Sequence, residues 1–316
     1  MKEDSYTNLF NKTSSIEFYN DRYTDGYMED WPQKKKDRII NIIRALNLPS
    51  QGLALDYGCG NGVFTDVIKK ALPEWDVYGS DISKIAVENA RTRFLQCKFF
   101  VADDVSMEKV KFDFIFSHHV LEHVYDIDQS TKEIADMAKN QAVIFHVLPC
   151  GNAGSLEHDL CSNRTDGINS QINNRFFYED PGHLRRLTSE ELAKKYELYG
   201  FWLATSYFAN QYYGALDWIT NYDADFIRYL TDTSKGKDQI KNNRITSLRR
   251  QLMLLYKAKS TMKFFKGKAN VPFLSKLKLL GANWVAGYYQ KKVDYEWEHQ
   301  CHDPKGSEMY ICLQRN

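Results

Sequence analysis

Glycines and a carboxylate near residue 56 form a pattern suited to holding a ligand close to the backbone. The run Asp56-Tyr57-Gly58-Cys59-Gly60-Asn61-Gly62 directly follows a short apolar segment. Glycine lets backbone approach a bound group closely, and the helix expected next would present its unpaired N–H groups. The spacing is GxGxG, because Val63 stands where a dinucleotide fingerprint requires its last glycine. The pattern therefore predicts a ligand-binding turn and disfavours an NAD-dependent oxidoreductase.

Further carboxylates follow the next two predicted strands. Asp81 falls at the end of the second strand, where its carboxylate can accept hydrogen bonds from both hydroxyls of a ribose. Asp103 and Asp104 follow the third strand, where a side chain can hold an adenine amino group. Because the carboxyl ends of parallel strands meet at one edge of a sheet, these residues would gather around one nucleoside.

Histidines are concentrated between residues 118 and 183, where six of the eight lie at or after the predicted fourth and fifth strands. Histidine is the natural proton acceptor near neutral pH. His119 and His123 are four residues apart, so on a helical turn they would share a face. We predict His119, His123 and His183 as catalytic or substrate-contacting residues, with satisfied structural histidines as the alternative.

Short apolar runs alternate with helical patterns from residue 53 onward, as in βαβ units that form a parallel sheet. The predicted strands are 53–57, 75–79, 98–101, 112–116, 142–147, 201–208 and 306–314. We expect an α/β fold with seven strands, built on a parallel sheet. Helices would cover both faces, and a capping box is expected at Thr188.

About a hundred residues separate the last two predicted strands, which indicates an insertion. Between Ser234 and Lys292 the chain has 15 basic residues and one acidic residue, Asp238. We therefore expect N-terminal cap helices over 1–50, a core domain over 51–217 with 303–316, and a helical, basic insertion over 218–302.

Composition narrows the classes of protein and compartment. Apolar residues make up 43% and charged residues 26%, which is typical of a globular protein. The net charge of +1 excludes a uniformly basic coat for nucleic acid. Six scattered cysteines form no CxxC pair, and neither an apolar signal region nor a run of membrane-spanning length occurs. These features predict a cytoplasmic protein with free thiols.

Taken in order, these motifs resemble a class I S-adenosylmethionine-dependent methyltransferase, over about residues 20–210 and the last strand. The segment Ser117-His118-His119-Val120-Leu121-Glu122-His123 is similar to the ubiquinone-biosynthesis-like branch. The resemblance implies a Rossmann-like, seven-stranded sheet, mostly parallel with an antiparallel last strand. It also implies S-adenosylmethionine as cofactor, with Asp56 on its ammonium, Asp81 on its ribose and Ser117 closing the pocket. The cofactor-binding residues that it implies are Tyr27, Asp56, Gly58, Cys59, Gly60, Asn61, Gly62, Asp81, Ile82, Asp103, Asp104 and Ser117.

A divalent metal is an open alternative. His119, Glu122, His123 and His183 resemble the metal ligands of small-RNA 3′-end methyltransferases and of metal-requiring ubiquinone O-methyltransferases. Imidazole and carboxylate together suit a transition metal. Position 119 is His, however, where those families usually have Glu.

The acceptor is expected to be a small polar molecule, anionic or sugar-like, methylated on oxygen or nitrogen. Glycans, nucleotide-linked sugars and natural-product precursors fit best, because aromatic, Arg and Asn side chains mix in the long segment 149–187. The alternatives are an RNA terminus and a catalytically silent protein that binds a partner. The basic insertion is interpreted as a lid, as a surface for anionic lipid that reaches a lipid-linked acceptor, as an RNA-binding surface, or as a solvated or oligomer-forming face.

Overall fold

The computed structural model describes residues 11–102, 104–107, 109–165, 182–267 and 272–315. Seven strands form one sheet: β1 (Leu53–Tyr57), β2 (Asp76–Asp81), β3 (Lys98–Val101), β4 (Phe112–His118), β5 (Ala138–Pro149), β6 (Phe201–Ala209) and β7 (Glu308–Arg315). The described α-helices are α1 (Lys12–Thr24), α2 (Gln33–Ala45), α3 (Val63–Ala71), α4 (Lys84–Arg93), α5 (Ile127–Met137), α6 (Leu156–Ser162), α7 (Ser189–Glu197), α8 (Tyr213–Ile219), α9 (Ala224–Leu230), α10 (Gln239–Phe265) and α11 (Phe273–Gln300).

The strand order is β3-β2-β1-β4-β5-β7-β6. Strands β1 to β5 pair in parallel, and β7 runs antiparallel between β5 and β6. This confirms the predicted Rossmann-like sheet with its antiparallel last strand. Because the chain direction is shared by the first five strands, their carboxyl ends meet at one edge, where ligands bind in open α/β sheets.

Alternation along β4 distributes its side chains between the two faces of the sheet. Phe114 and Phe116 pack in the cluster that also contains Phe64 of α3, whereas Ile115 packs in the cluster on the other face. Successive side chains of a strand point to opposite faces. The next two residues, Ser117 and His118, therefore also face opposite sides, which decides which of them reaches a ligand.

Helices α8 to α11 connect β6 to β7, as the predicted helical insertion, and have a hydrophobic cluster of their own. Leu216 and Ile219 of α8 pack there with Leu252, Leu255 and Tyr289 of the two long helices. Among the described residues, no helix is both long and apolar enough to cross a membrane. The division of the chain into three domains stays a prediction.

Two local predictions differ in their outcome. The capping box at Thr188 is confirmed: its hydroxyl accepts a hydrogen bond from the Glu191 N–H, and the Glu191 carboxylate accepts one from the Thr188 N–H. Residues 119–123, by contrast, form a turn. His119 has a φ of 53°, a left-handed conformation that is incompatible with a regular α-helix, so helical spacing does not relate it to His123.

Candidate active site

The turn after β1 is held against β2 by its backbone. The N–H groups of Gly58 and Cys59 both donate to the Ser80 carbonyl, each at 2.8 Å. Gly60 has a φ of 51°, and a Cβ there would lie 2.6 Å from the Tyr23 hydroxyl of α1. Only glycine fits this position without backbone strain and without displacing the Tyr23 side chain.

Two carboxylates are buried behind this turn. Asp81 accepts hydrogen bonds from the N–H groups of Gly60, at 2.8 Å, and Ser83, at 2.9 Å. Asp56 accepts one from the Thr65 hydroxyl at 2.7 Å. Burial raises the pKa of Asp56 to about 7 and also raises the pKa of Asp81. A ligand that carries positive charge would relieve this cost.

A first cavity of about 560 Å³, part of it open to solvent, lies over the glycine turn. Helix α1 and the segment after it supply one wall, and the ends of β1 and β4 supply the other. Its lining residues are Tyr19, Tyr23, Tyr27, Met28, Trp31, Asp56, Gly58, Cys59, Gly60, Asn61, Val63, Phe64, His118, His119 and His123. Six of the twelve cofactor residues expected from the sequence are therefore brought together here.

A second cavity of about 580 Å³ adjoins the first. It is lined by Tyr27, Met28, Trp31, His119, His123, Pro149, Glu157, His183, Arg186, Asn210, Trp218, Tyr222, Ser307 and Glu308. The first five of these residues also line the first cavity. The three predicted catalytic histidines all line the second cavity, and two of them lie in the wall between the cavities.

In that wall, His119 lies between two carboxylates and contacts both. Its Nδ1 lies 3.0 Å from Oε1 of Glu122, and its Nε2 lies 3.1 Å from Oε1 of Glu308. The Lys35 ammonium group lies 2.5 Å from the same Glu308 oxygen and 3.3 Å from the His119 Nε2. The start of β7, the turn after β4 and helix α2 thus converge on one imidazole.

The protonation of His119, Glu122 and Lys35 depends on how deeply they are buried and on the charges beside them. Burial and Lys35 lower the pKa of His119, but Glu122 and Glu308 outweigh them and raise it above its ordinary value. Burial raises the pKa of Glu122, yet the three nearby histidines lower it to about 2. Burial lowers the pKa of Lys35, although Glu308 opposes this shift. His119 is therefore protonated to a higher pH than a free histidine.

Glu122 lies at the centre of the histidine group. Its Oε1 lies 3.9 Å from the His123 Nε2 and 4.0 Å from the His183 Nε2. One ligand atom each from His119, Glu122 and His183 all lie within 4.8 Å of one another. Two imidazoles and one carboxylate form a donor set that suits zinc, iron or manganese.

Backbone strain is concentrated around the two cavities. Four described non-glycine residues have positive φ, and three of them, Met28, His119 and Asn210, line one or both cavities. Such conformations cost about 1–3 kcal/mol each and occur preferentially at functional sites. Here they aim side chains from the ends of elements into the cavities.

The structure places His118, and not Ser117, in the wall of the first cavity. The Ser117 hydroxyl lies 2.7 Å from the His146 Nδ1 in the core, outside both cavity linings. His118 stacks on Phe64 with ring centroids 3.9 Å apart, and its buried Nε2 has no hydrogen-bond partner among the described residues. Period-two alternation along β4 is the sequence signal that identifies His118.

The remaining predicted site residues lie behind or beside the cavities. Gly62, Asp81, Ile82 and Asp104 fall outside both linings, although Asp81 contacts the turn through Gly60. Asp103 and the aromatic and Arg positions over 174–178 lie outside the described residues. Lys35, Glu308, Glu157 and Trp218 were not identified as site residues from the sequence, because no local motif joins such distant segments.

Comparison with known proteins gives the family. The family model described as "Methyltransferase domain" matches residues 29–205, which is more than half of the chain. The ubiquinone biosynthesis O-methyltransferase of Pelagibacter ubique is 31% identical over 118 residues, or 35% of this chain and 48% of that protein. The release factor glutamine methyltransferase of Lactococcus lactis is 27% identical over 126 residues, or 36% and 47%.

The chain thus spans about half the length of these curated relatives. Among solved structures, magnesium protoporphyrin IX methyltransferase from Synechocystis, with bound SAH, is similar at a TM-score of 0.46 and 21% identity. That likeness covers 62% of this chain and 92% of the other. Because the family match extends from the segment before α2 into β6, this chain belongs to the class I S-adenosylmethionine-dependent methyltransferase family.

Proposed function

We propose that this chain transfers a methyl group from S-adenosylmethionine in the first cavity to a small polar acceptor in the second. The observation that carries the proposal is the wall that the two cavities share, which includes His119 and His123. Methyl transfer requires an in-line approach and the exclusion of water. Adjacent cavities with a common histidine wall supply that arrangement.

The charges around the first cavity support this cofactor. Asp56, which lines the cavity, and Asp81, directly behind the glycine turn, are buried with raised pKa values, so a ligand bearing a sulfonium and an ammonium group supplies the missing positive charge. In this proposal Asp56 holds the ammonium group and Asp81 the ribose hydroxyls. The unpartnered Nε2 of His118 offers a further hydrogen bond at the methionine end of the cavity.

The lining of the second cavity supports an acceptor that carries hydroxyl groups. Trp218 and Tyr222 contribute aromatic rings to this lining, and the carboxylates of Glu157 and Glu308 add hydrogen-bond acceptors. A glycan, a nucleotide-linked sugar or a natural-product precursor has this chemistry. A neutral histidine of the wall would take the proton from the methylated oxygen or nitrogen, whereas a protonated one, such as His119, would fix the position of the acceptor.

The test measures S-adenosylhomocysteine release with a panel of acceptors, beginning with anionic sugars. The variant His183→Asn should lose about a hundredfold in turnover while it keeps its affinity for S-adenosylhomocysteine, because His183 lines only the second cavity. The matched control is His299→Asn, at an exposed position on α11. Unchanged turnover in His183→Asn would remove the assigned role of the second cavity.

A second candidate, metal-assisted methylation of an RNA terminus, is favoured by the grouping of His119, Glu122 and His183. A bound divalent ion would polarise the acceptor oxygen. Lys35, 3.3 Å from the His119 Nε2, opposes a second cation there. Elemental analysis of the purified protein and of Glu122→Gln tests this candidate. Metal that co-purifies with the parent and is lost from the variant supports it, and activity that survives chelation of a metal-free protein rejects it.

A further inference from the structure

The outward side of α11 carries an apolar stripe. Phe273, Leu277, Leu280, Trp284 and Tyr288 are between 46% and 74% exposed. Their spacing of three or four residues places them along one side of the helix, over about 23 Å of its length. A contiguous exposed stripe of this length is uncommon on a monomeric protein and marks an interaction surface.

The opposite side of α11 already packs against the protein. Ala282 and Tyr289 are buried there, and Tyr289 belongs to the hydrophobic cluster that α8 and α10 share. The helix is therefore apolar on two opposite faces along the same turns. A helix with this pattern is normally covered on both faces, so the outer stripe calls for a partner.

Charge around the stripe selects the kind of partner. Residues 239–293 contain 13 Lys or Arg residues and no Asp or Glu. Lys276 and Lys278 flank the stripe with exposed side chains, and Lys263 and Lys266 are exposed at the end of α10. A second copy of this surface would bring like charges together, whereas an anionic surface would complement them.

Side-chain chemistry then separates lipid from nucleic acid. Single-stranded nucleic acid is held by aromatic faces on which bases stack. Leu277 and Leu280, in the middle of the stripe, have no such face, whereas aliphatic and aromatic side chains flanked by lysine suit the interface of an anionic bilayer. We propose that the stripe on α11 docks the protein peripherally on an anionic lipid surface, with the lysines at the level of the headgroups.

The experiment is vesicle flotation of the full chain, without cofactor or acceptor. We expect binding to vesicles that mix phosphatidylcholine with phosphatidylglycerol, and weak binding to phosphatidylcholine alone. Leu277→Asp should weaken partitioning about tenfold, as expected for one leucine removed from an apolar contact. Leu198→Asp is the matched control, because Leu198 is 80% exposed and lies after α7.

A charge variant tests the second component of the surface. The double substitution Lys276→Glu with Lys278→Glu should weaken binding several-fold and reduce its salt dependence. Lys109→Glu, at an exposed lysine outside α10 and α11, should change little. Circular dichroism and light scattering of each variant show that it is folded and report its oligomeric state.

Three outcomes would overturn the proposal. The first is equal vesicle binding by Leu277→Asp and the parent. The second is a dimer in solution that Leu277→Asp dissociates. The third is a parent protein that binds RNA but not vesicles and loses its RNA binding in Leu277→Asp. Because no cofactor takes part, failure of this test leaves methyl transfer untouched. A failed methyl-transfer assay likewise leaves the vesicle result standing.

Discussion

The carboxyl group of Asp56 links ligand binding to stability at the scale of one residue. It is 1% exposed, and burial raises its pKa to about 7 from an unfolded value near 3.8. A folded pKa above the unfolded value contributes stability that is present at acid pH and lost as pH rises through the folded pKa. Above about pH 7 the protein therefore folds around a buried charge.

We expect Asp56→Asn to be more stable than the parent at pH 8, by a few kcal/mol at about 1.4 kcal/mol for each pKa unit. The difference in stability should vanish toward pH 4. At that pH Asp56 is protonated and uncharged in the parent, and the amide oxygen of the variant accepts the same hydrogen bond from Thr65. Urea unfolding at several pH values measures this. Asp225→Asn, at an 87% exposed side chain, is the control, and a variant less stable than the parent at pH 8 contradicts the account.

His119 provides a second prediction for a single group. Glu308→Gln removes one of the two carboxylates that raise the pKa of His119, while the amide oxygen, in the place of Oε1, still accepts the hydrogen bond from Lys35. The pKa of His119 should fall, so the imidazole becomes neutral at lower pH. NMR titration of the histidine ring signals measures the shift directly, and Glu133→Gln on α5 is the distant control. A pKa that stays or rises would show that Glu308 does not stabilise the imidazolium.

Sequence patterns predicted the parts of the site that are local in the chain. The glycine turn and Asp56 follow from one short run of residues, and the structure brings them to the first cavity. The contact of Lys35 with Glu308 joins residues 273 positions apart, so no local pattern contains it. Such partners are set by the order in which strands and helices pack.

At the scale of elements, a side chain from α11 holds the start of α8. The carboxylate of Glu296 accepts hydrogen bonds from the N–H groups of Tyr212, Tyr213 and Gly214 at 2.8–3.1 Å. N–H groups at the start of a helix have no acceptor within the helix, and the Tyr212 side chain does not cap them. A negative charge at this end is favoured by the helix dipole as well.

We expect Glu296→Ala to destabilise the α8–α11 segment by about 1–3 kcal/mol, because buried donors lose their acceptor. Amide hydrogen exchange of α8 should accelerate before that of the central strands. Glu298→Ala, at an exposed neighbour on the same helix, serves as the matched control. Unchanged exchange in α8 would show that the cap carries no stability.

Element bounds were predictable where apolar runs end in turns. The bounds of β1 and β3 agree with the sequence prediction, since glycine or polar residues delimit those strands. Strand β5 is longer than predicted, covering Ala138–Pro149, because pairing with both β4 and β7 extends it past its apolar centre. Pairing partners, rather than local preference, set those additional residues.

On the scale of the whole molecule, the segment before α2 and the antiparallel last strand both contact His119, which lies in the wall between the cavities. Trp31 contacts His118 and His119 with ring centroids 4.5 and 5.3 Å away, and Glu308 begins β7. The sheet alone therefore does not complete the site. The alternation of apolar runs and helical patterns predicted the order of the elements. The meeting of the two cavities depends instead on how the segments before α2 and after β6 fold back over the sheet.

The most direct test of the central claim is calorimetric titration of the full chain with S-adenosylhomocysteine. The account predicts binding in the micromolar range that Asp81→Ala weakens at least about tenfold, since Asp81 supports the turn and would hold the ribose. Asp81→Asn keeps an acceptor for the Gly60 N–H, so it separates loss of the ribose contact from loss of the structure of the glycine turn. No binding by a folded parent protein would contradict the account and favour a catalytically silent member of the family.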